Sequence, residues 1–297
     1  MVTSPLRSKS YHARSVSLPS RSHPLIPQFD EHLSRFSASS EATLSSLPSI
    51  SNTLHGLENS YNCVDDLLLL PHMQQRLGQE CIEKSVEEAL DGYLRLLDAC
   101  AATKNMFSQT KEDIKAQLSI LRRRRDASDF GGYLASRRKA KKVIQNLLKD
   151  LKRIENKDIL FGLVLDRDHE TGATFSMLKE VEAATVSALE SLLCYALGRK
   201  VLSRGSGWSL VSKLMPQKRA TCQEKKTVVS EFENIDAVVH ALIGDKPTKT
   251  GHSNNIKTLQ IQLAELESSV QGLEEVLERL IKHLIKTRVS LLNILNH

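Results

Sequence analysis

Aromatic side chains make up only 4% of the chain, with a single tryptophan, Trp208. Leucine, alanine, serine and charged residues dominate instead, a composition that favours long helices over sheets. Cysteine is sparse as well. Cys63, Cys81, Cys100, Cys194 and Cys222 stand singly, without a CxxC or an even-numbered framework, which excludes a disulfide-stapled scaffold and reads as reduced side chains with no zinc site. Long hydrophobic runs are missing too. Leu67 to Leu70 and Ile159 to Leu165, the second interrupted by Gly162, fall far short of the roughly 20 residues a membrane-spanning helix needs. No HExxH, GxSxG or GxGxxG signature is present, no cysteine–histidine pair has ligand spacing, and no repeat of fixed period stands out. The loop GDKPTKTGH at 244–252 combines glycine, lysine and threonine, but no glycine directly precedes a lysine and the loop follows a helical pattern, so it fails as a phosphate cradle. The expectation is a protein that is not an enzyme and holds neither cofactor nor metal.

What the chain does have is helical periodicity. From Asn254 to Leu295, apolar residues recur at spacings of three and four: Ile256, Leu259, Leu263, Leu266, Val270, Leu273, Leu277, Leu280, Leu284, Leu291 and Ile294, with Thr287 the one break. Such a stripe, held over heptads without proline, predicts a helix packed lengthwise on other helices and roughly 60 Å long. Residues 80–126 match it in length, with a buried face of Ile82, Val86, Leu90, Tyr93, Leu97, Cys100, Phe107, Ile114, Leu118 and Leu121, interrupted by Lys104 and Lys111. Each stripe would stay wet alone, so the two are natural partners. Shorter helical patterns fill the rest: one from Pro27, one from Pro48 and stopped by Pro71, one after Gly132, one over 174–199 wide enough to be central, and one over 227–243. The fold class read from these patterns is all-α: an elongated antiparallel bundle with long coiled-coil-like helices and a disordered N-terminal tail. Residues 1–27 form the Ser/Arg-rich tail and 28–297 a single helical-bundle domain. Asp65 and Asp66, adjacent in the second pattern, point about 100° apart on a helix and are expected to be solvated or N-terminal-turn acids, not a catalytic pair.

Two regions are candidates for function. Residues 1–29 hold no acidic side chain but several arginines and many serines, so they cannot bury enough apolar surface to order themselves. Within them RSVSLP places Arg14 three before Ser17 and Pro19 two after it, an arrangement suited to phosphoserine docking on an adaptor of the 14-3-3 type. The same composition also fits an organelle transit peptide. The second region is basic: Arg122, Arg123, Arg124 and Arg125, a break at 129–132, then Arg137, Arg138, Lys139, Lys141 and Lys142. Cations at a helix C-terminus and a solvated helix face account for it in plain structural terms, whereas nuclear import or contact with an acidic membrane is the functional alternative. No aromatic residues are interleaved for base stacking, so nucleic acid is an unlikely partner. The net charge of +6 and pI near 9.0 are compatible with anionic partners in general.

Four stretches carry a resemblance: RSVSLPSRSHPLIP (14–27), VDDLLLLPHMQQRL (64–77), GWSLVSKLMPQKR (207–219) and LERLIKHLIKTRVSLLNIL (277–295). Through them the chain resembles the plant-specific BYPASS-related family. The resemblance implies a plant source and involvement in root and shoot development, with some members directed to plastids, and it supplies no catalytic residues to carry over. The resulting expectation is a non-catalytic interaction or regulatory protein with protein partners, among them a phosphoserine-binding adaptor. The alternative is a peripheral membrane or nucleic-acid binder working through its basic helix surfaces, and no small-molecule substrate is expected. The expected compartment is the cytoplasm, with plastid and nucleus as alternatives.

Overall fold

The computed structural model describes residues 23–41, 46–123, 130–157, 169–198, 230–244 and 249–296. Among the described residues the regular structure is all helix: α1 (Leu25–Glu41), α2 (Leu47–Leu68), α3 (Pro71–Leu77), α4 (Glu80–Arg123), α5 (Gly131–Lys157), α6 (His169–Leu197), α7 (Glu231–Gly244) and α8 (Lys249–Leu295). Of the two sequence-level candidates, the tail before His23 lies outside the described residues, as do Arg124, Arg125 and the Trp208 segment.

The two longest helices, with 44 and 47 residues, are α4 and α8, each about 65–70 Å long. They form the most extensive helix pair of the fold. Their direction follows from their ion pairs. Lys104 meets Glu278 at 3.0 Å, and Lys111, one heptad later on α4, meets Glu274, one turn earlier on α8, and Gln271 at 2.7 Å. Rising numbers on one helix against falling numbers on the other make the pair antiparallel. The lysines that interrupt the apolar stripe of α4 are therefore its contacts with α8: their stems lie along the seam and their ammonium groups reach acids at its edge.

Helix α2 runs parallel to α8. Glu58 accepts from Arg279 at 2.8 Å, and one to two turns on, Asp65 accepts from Thr287 at 2.6 Å. Burial pushes the Glu58 carboxyl up, but Arg279 and His55 more than offset this and hold it below the usual carboxylate range. At the start of α2, Ser46 caps the helix by accepting from the Ser49 backbone at 3.3 Å, with Pro48 in the first turn where its missing N–H costs nothing. Pro71 does not simply stop this helix. The chain turns at Leu69–Leu70 and Pro71 opens α3, the position proline favours.

Helix α6 is central, in contact with α1, α2, α4, α5 and α7. It ends at Gly198, whose φ of +78° is the left-handed conformation a glycine adopts at low cost after a helix. The α8 helix starts at Lys249, five residues before Asn254, where the apolar stripe begins. The long packed stripe further on offsets the modest propensity cost of Gly251.

A single core runs the length of the bundle, with Leu259, Leu263, Leu273, Leu277, Leu280, Leu284 and Leu291 of α8 fully enclosed. Cys100 lies in it, and burial raises its thiol pKa from 9.0 to about 12; burial also pushes the phenols of Tyr61 and Tyr93 well above their usual value. The unfolded chain sheds these protons first, so their contribution to stability is present below pH 9 and lost as pH rises toward 12. At pH 8, Cys100 is expected to resist a thiol reagent in the folded protein and to react once the protein is denatured. Rapid modification of Cys100 in the native state would show that the α4 core is open.

Candidate functional site

Helix α5 is amphipathic. Tyr133, Ile144, Leu151 and Ile154 are buried, and Leu134, Leu147 and Leu148 pack partly against the core. Opposite them, Arg138, Lys139 and Lys142 are exposed, and the exposed row continues through Lys149, Lys152 and Arg153. Residues 138, 142, 149 and 153 are spaced by four and seven, which lines them up along one side of the helix over roughly 22 Å. Asp150, paired to Arg153 at 2.8 Å, is the acid set among them. Lys139, Lys142 and Lys149 have no acidic partner among the described residues, and Arg138 donates only to the carbonyl of Leu134, at 3.1 Å. Sequence reading stopped this basic block at Lys142; the signal for its extension was the same helical spacing carried two turns further. At the end of α4, Arg122 and Arg123 are exposed and lie in the last turn, where cations complement the helix dipole.

Two of the basic residues do not belong to that face. Arg137 is buried, with its Nε 3.2 Å from Asp236 Oδ2, its Nη2 donating to the Ala196 carbonyl at 2.6 Å, and its guanidinium 4.8 Å above the Phe232 ring. Lys141 turns the same way and reaches Asp236 Oδ2 at 2.9 Å. Tyr133 completes the group by donating to Asp236 Oδ1 at 3.2 Å; burial first, and the adjacent carboxylate second, push its phenol up and keep it a donor. This cluster joins α5, α6 and α7. The expectation that Arg137 forms part of a solvated patch is corrected here, while Lys141 keeps a side chain 40% exposed but is paired: the acid that engages them is 99 and 95 residues away in sequence. A depression beside the cluster, lined in part by Thr110, Ser136, Arg137 and Phe232, has an interior volume of about 10 Å³, room for one water at most.

The Asp65–Asp66 expectation also needs correction. Asp66 is exposed, but Asp65 is fully buried in the last turn of α2, where it accepts from Thr287 and lies 3.3 Å from the half-exposed Lys286. His283 stacks on Tyr61 at a ring separation of 5.8 Å, and its Nδ1 is 3.7 Å from Asp65 Oδ2, too far for a hydrogen bond. Thr185 donates its hydroxyl to the Val181 carbonyl at 2.7 Å, which leaves the Tyr61 hydroxyl as the donor to Thr185 at 2.9 Å. In a nucleophilic triad the imidazole stands between acid and hydroxyl; here the hydroxyl of Thr287 donates straight to the acid and is wholly buried. The arrangement holds α2, α6 and α8 in register and gives Thr287, the break in the apolar stripe, its partner.

A third buried acid, Glu182 of α6, lies against the backbone of α4. A Cβ on Gly92 would come within 2.8 Å of Glu182 Oε1, so the one glycine inside α4 is where this carboxylate fits, with Lys179 at 3.1 Å as its counter-charge. No helix among the described residues is long and apolar enough to cross a membrane.

Comparison with curated proteins and with solved structures returned no match. The model of one family, described as Protein BPS1, matches residues 53–294, from the second turn of α2 to the last turn of α8, and so takes in the whole α4–α8 framework and the α5 face; the chain belongs to the BPS1 family.

Proposed function

We propose that this protein is a non-catalytic interaction and regulatory protein of plant root and shoot development, which presents the outward face of α5 to acidic protein partners. Family membership supports the plant developmental setting. The observation that carries the binding role is the contrast within one basic block. Arg137 and Lys141 are drawn into an acid at the bundle interior, while Arg138, Lys139, Lys142 and Lys149 stand in solvent with no acid opposite. Exposed cations contribute little to folding, so their alignment is free to serve recognition. Arg14, Ser17 and Pro19 supply the regulated part of the proposal: a phosphoserine segment for an adaptor protein. The proposed compartment is the cytoplasm, with plastid and nucleus as the alternatives. The test is proximity labelling in plant tissue, comparing the natural chain with one in which Arg138, Lys142, Lys149 and Arg153 are replaced by glutamine.

A second reading, peripheral binding to an anionic membrane, is favoured by Val143, which is 38% exposed among these cations. It requires that vesicles containing acidic lipid sediment the protein at low salt and release it steeply as salt rises, with the glutamine variant failing to bind. Sedimentation that is indifferent to both salt and the variant would remove it.

A further inference from the structure

The α4–α8 seam changes character along its length. Around Lys104 and Lys111 it is closed by ion pairs with Glu278 and Glu274. Carrying that antiparallel register on from Lys104 and Glu278 brings Leu94 level with Val289, and there the edge is apolar and open. Leu94 is 37% exposed, Ile285 46%, Val289 47% and Leu292 37%. Ile285, Val289 and Leu292 lie seven, eleven and fourteen residues beyond Glu278, on the helix side that faces Lys104 further down. Single exposed apolar residues are ordinary; a strip contributed by two neighbouring helices marks a contact surface.

We propose that residues 1–22 of the same chain dock on this strip, with Val16 and Leu18 covering its apolar side chains. Position is the first argument. His23 sits with its ring 6.4 Å from that of His72 in α3, and the backbone just after α3 abuts the end of α8, since a Cβ on Gly78 would be 3.3 Å from the Ile294 carbonyl oxygen. The described chain therefore begins at the end of the bundle where Leu292 and Val289 lie, and an extended segment of 22 residues spans up to about 75 Å, several helix diameters. Charge is the second argument. The segment has no acid and carries Arg7, Lys9, Arg14 and Arg21. On α4, Glu87, Asp91 and Asp98 are exposed and unpaired among the described residues, and they stand seven before, three before and four after Leu94, on its side of the helix. A second copy of this chain is a poorer occupant, because four partly exposed side chains fall well below the roughly 800 Å² per partner of a stable dimer.

Docking would set Ser17 between the two covering residues and close to the α4 acids. Transfer of the terminal phosphoryl group of ATP to Ser17 Oγ by a kinase, with loss of the hydroxyl proton and release of ADP, adds about two negative charges there. The tail would then leave the strip and become available to an adaptor. This regulatory arm rests on the Ser17 proposal above; the docking does not.

The test places the photo-crosslinking residue p-benzoylphenylalanine at Val289 of the full chain, or at Val143 on α5 as a control of similar exposure, and maps the products by mass spectrometry. Position 289 is expected to crosslink within one chain to residues 1–22, at about tenfold the yield of position 143. Arg14→Glu with Arg21→Glu should suppress the product, and adding Glu87→Lys with Asp91→Lys should restore it. Crosslinks between two chains, products outside residues 1–22, equal yields at both positions, or indifference to the charge exchange would each overturn the proposal. If the charge exchange behaves as expected but Ser17→Glu leaves the yield unchanged, the docking stands and the Ser17 control fails.

Discussion

Leu277→Asp and Leu280→Asp are each expected to cost at least about 4 kcal/mol, enough to unfold most of the protein under ordinary conditions. Both leucines are 0% exposed, near the middle of α8, where α2 and α4 pack along the helix. The loss has two parts: a buried leucine is worth about 2–3 kcal/mol of transfer free energy, and the carboxylate that replaces it finds no cation in the core. The same change at an exposed position earlier on the same helix, Ile261→Asp, should move stability by less than about 0.5 kcal/mol. Thermal melts followed by helical circular dichroism separate these outcomes. A mild effect at Leu277 or Leu280 would mean that α8 is not the spine of the bundle.

Two adjacent arginines are expected to differ by an order of magnitude in importance. Arg137→Ala should destabilise the protein by about 3 kcal/mol, because it leaves Asp236 inside the fold with Lys141 as its only cation, strips the Ala196 carbonyl of its donor and uncovers the Phe232 ring. For a chain of this size that lowers Tm by roughly 6–12 °C. Arg138→Ala removes one exposed bond to its own helix and should change stability by less than about 0.5 kcal/mol. Asp236→Asn in the Arg137→Ala background should cost less than in the natural chain, because the two residues share one interaction. Equal effects for Arg137 and Arg138 would return Arg137 to the surface patch.

The helices were legible because their cause is local. The apolar stripes of α4 and α8, the proline at the first turn of α2 and the glycine after α6 each act within a few residues of sequence. The interruptions were not legible in the same way. Lys104, Lys111 and Thr287 look like defects when each helix is read alone, and their partners Glu278, Glu274 and Asp65 lie 163 to 222 residues away. In the basic block, charge pattern did not separate Arg137 from Arg138; helical spacing did carry the signal, since Arg137 lies four residues after Tyr133 and seven before Ile144 on the buried stripe, but its partner Asp236 on α7 was not legible. Buried acids as a class were missed for this reason. Asp65 and Asp236 are tolerated in the interior because tertiary structure brings a hydroxyl to the first and a guanidinium and an ammonium to the second, whereas Glu182 has Lys179 three residues earlier on its own helix and owes its burial to the approach of α4 at Gly92. One clue was available in advance: the single glycine inside α4 marks a close approach, although nothing in the sequence said that the approaching group would be a carboxylate.

The most direct measurement of whether the α5 face is the working surface combines stability and recovery in one variant, with Arg138, Lys142, Lys149 and Arg153 all replaced by glutamine. Its melting temperature is expected to stay within a few degrees of the natural protein, because all four side chains are exposed. Proximity labelling in root tissue is then expected to lose the acidic proteins labelled by the natural chain. A variant that melts normally and labels the same proteins would contradict the assignment of function to this face, and one that unfolds would show that these cations hold the bundle together.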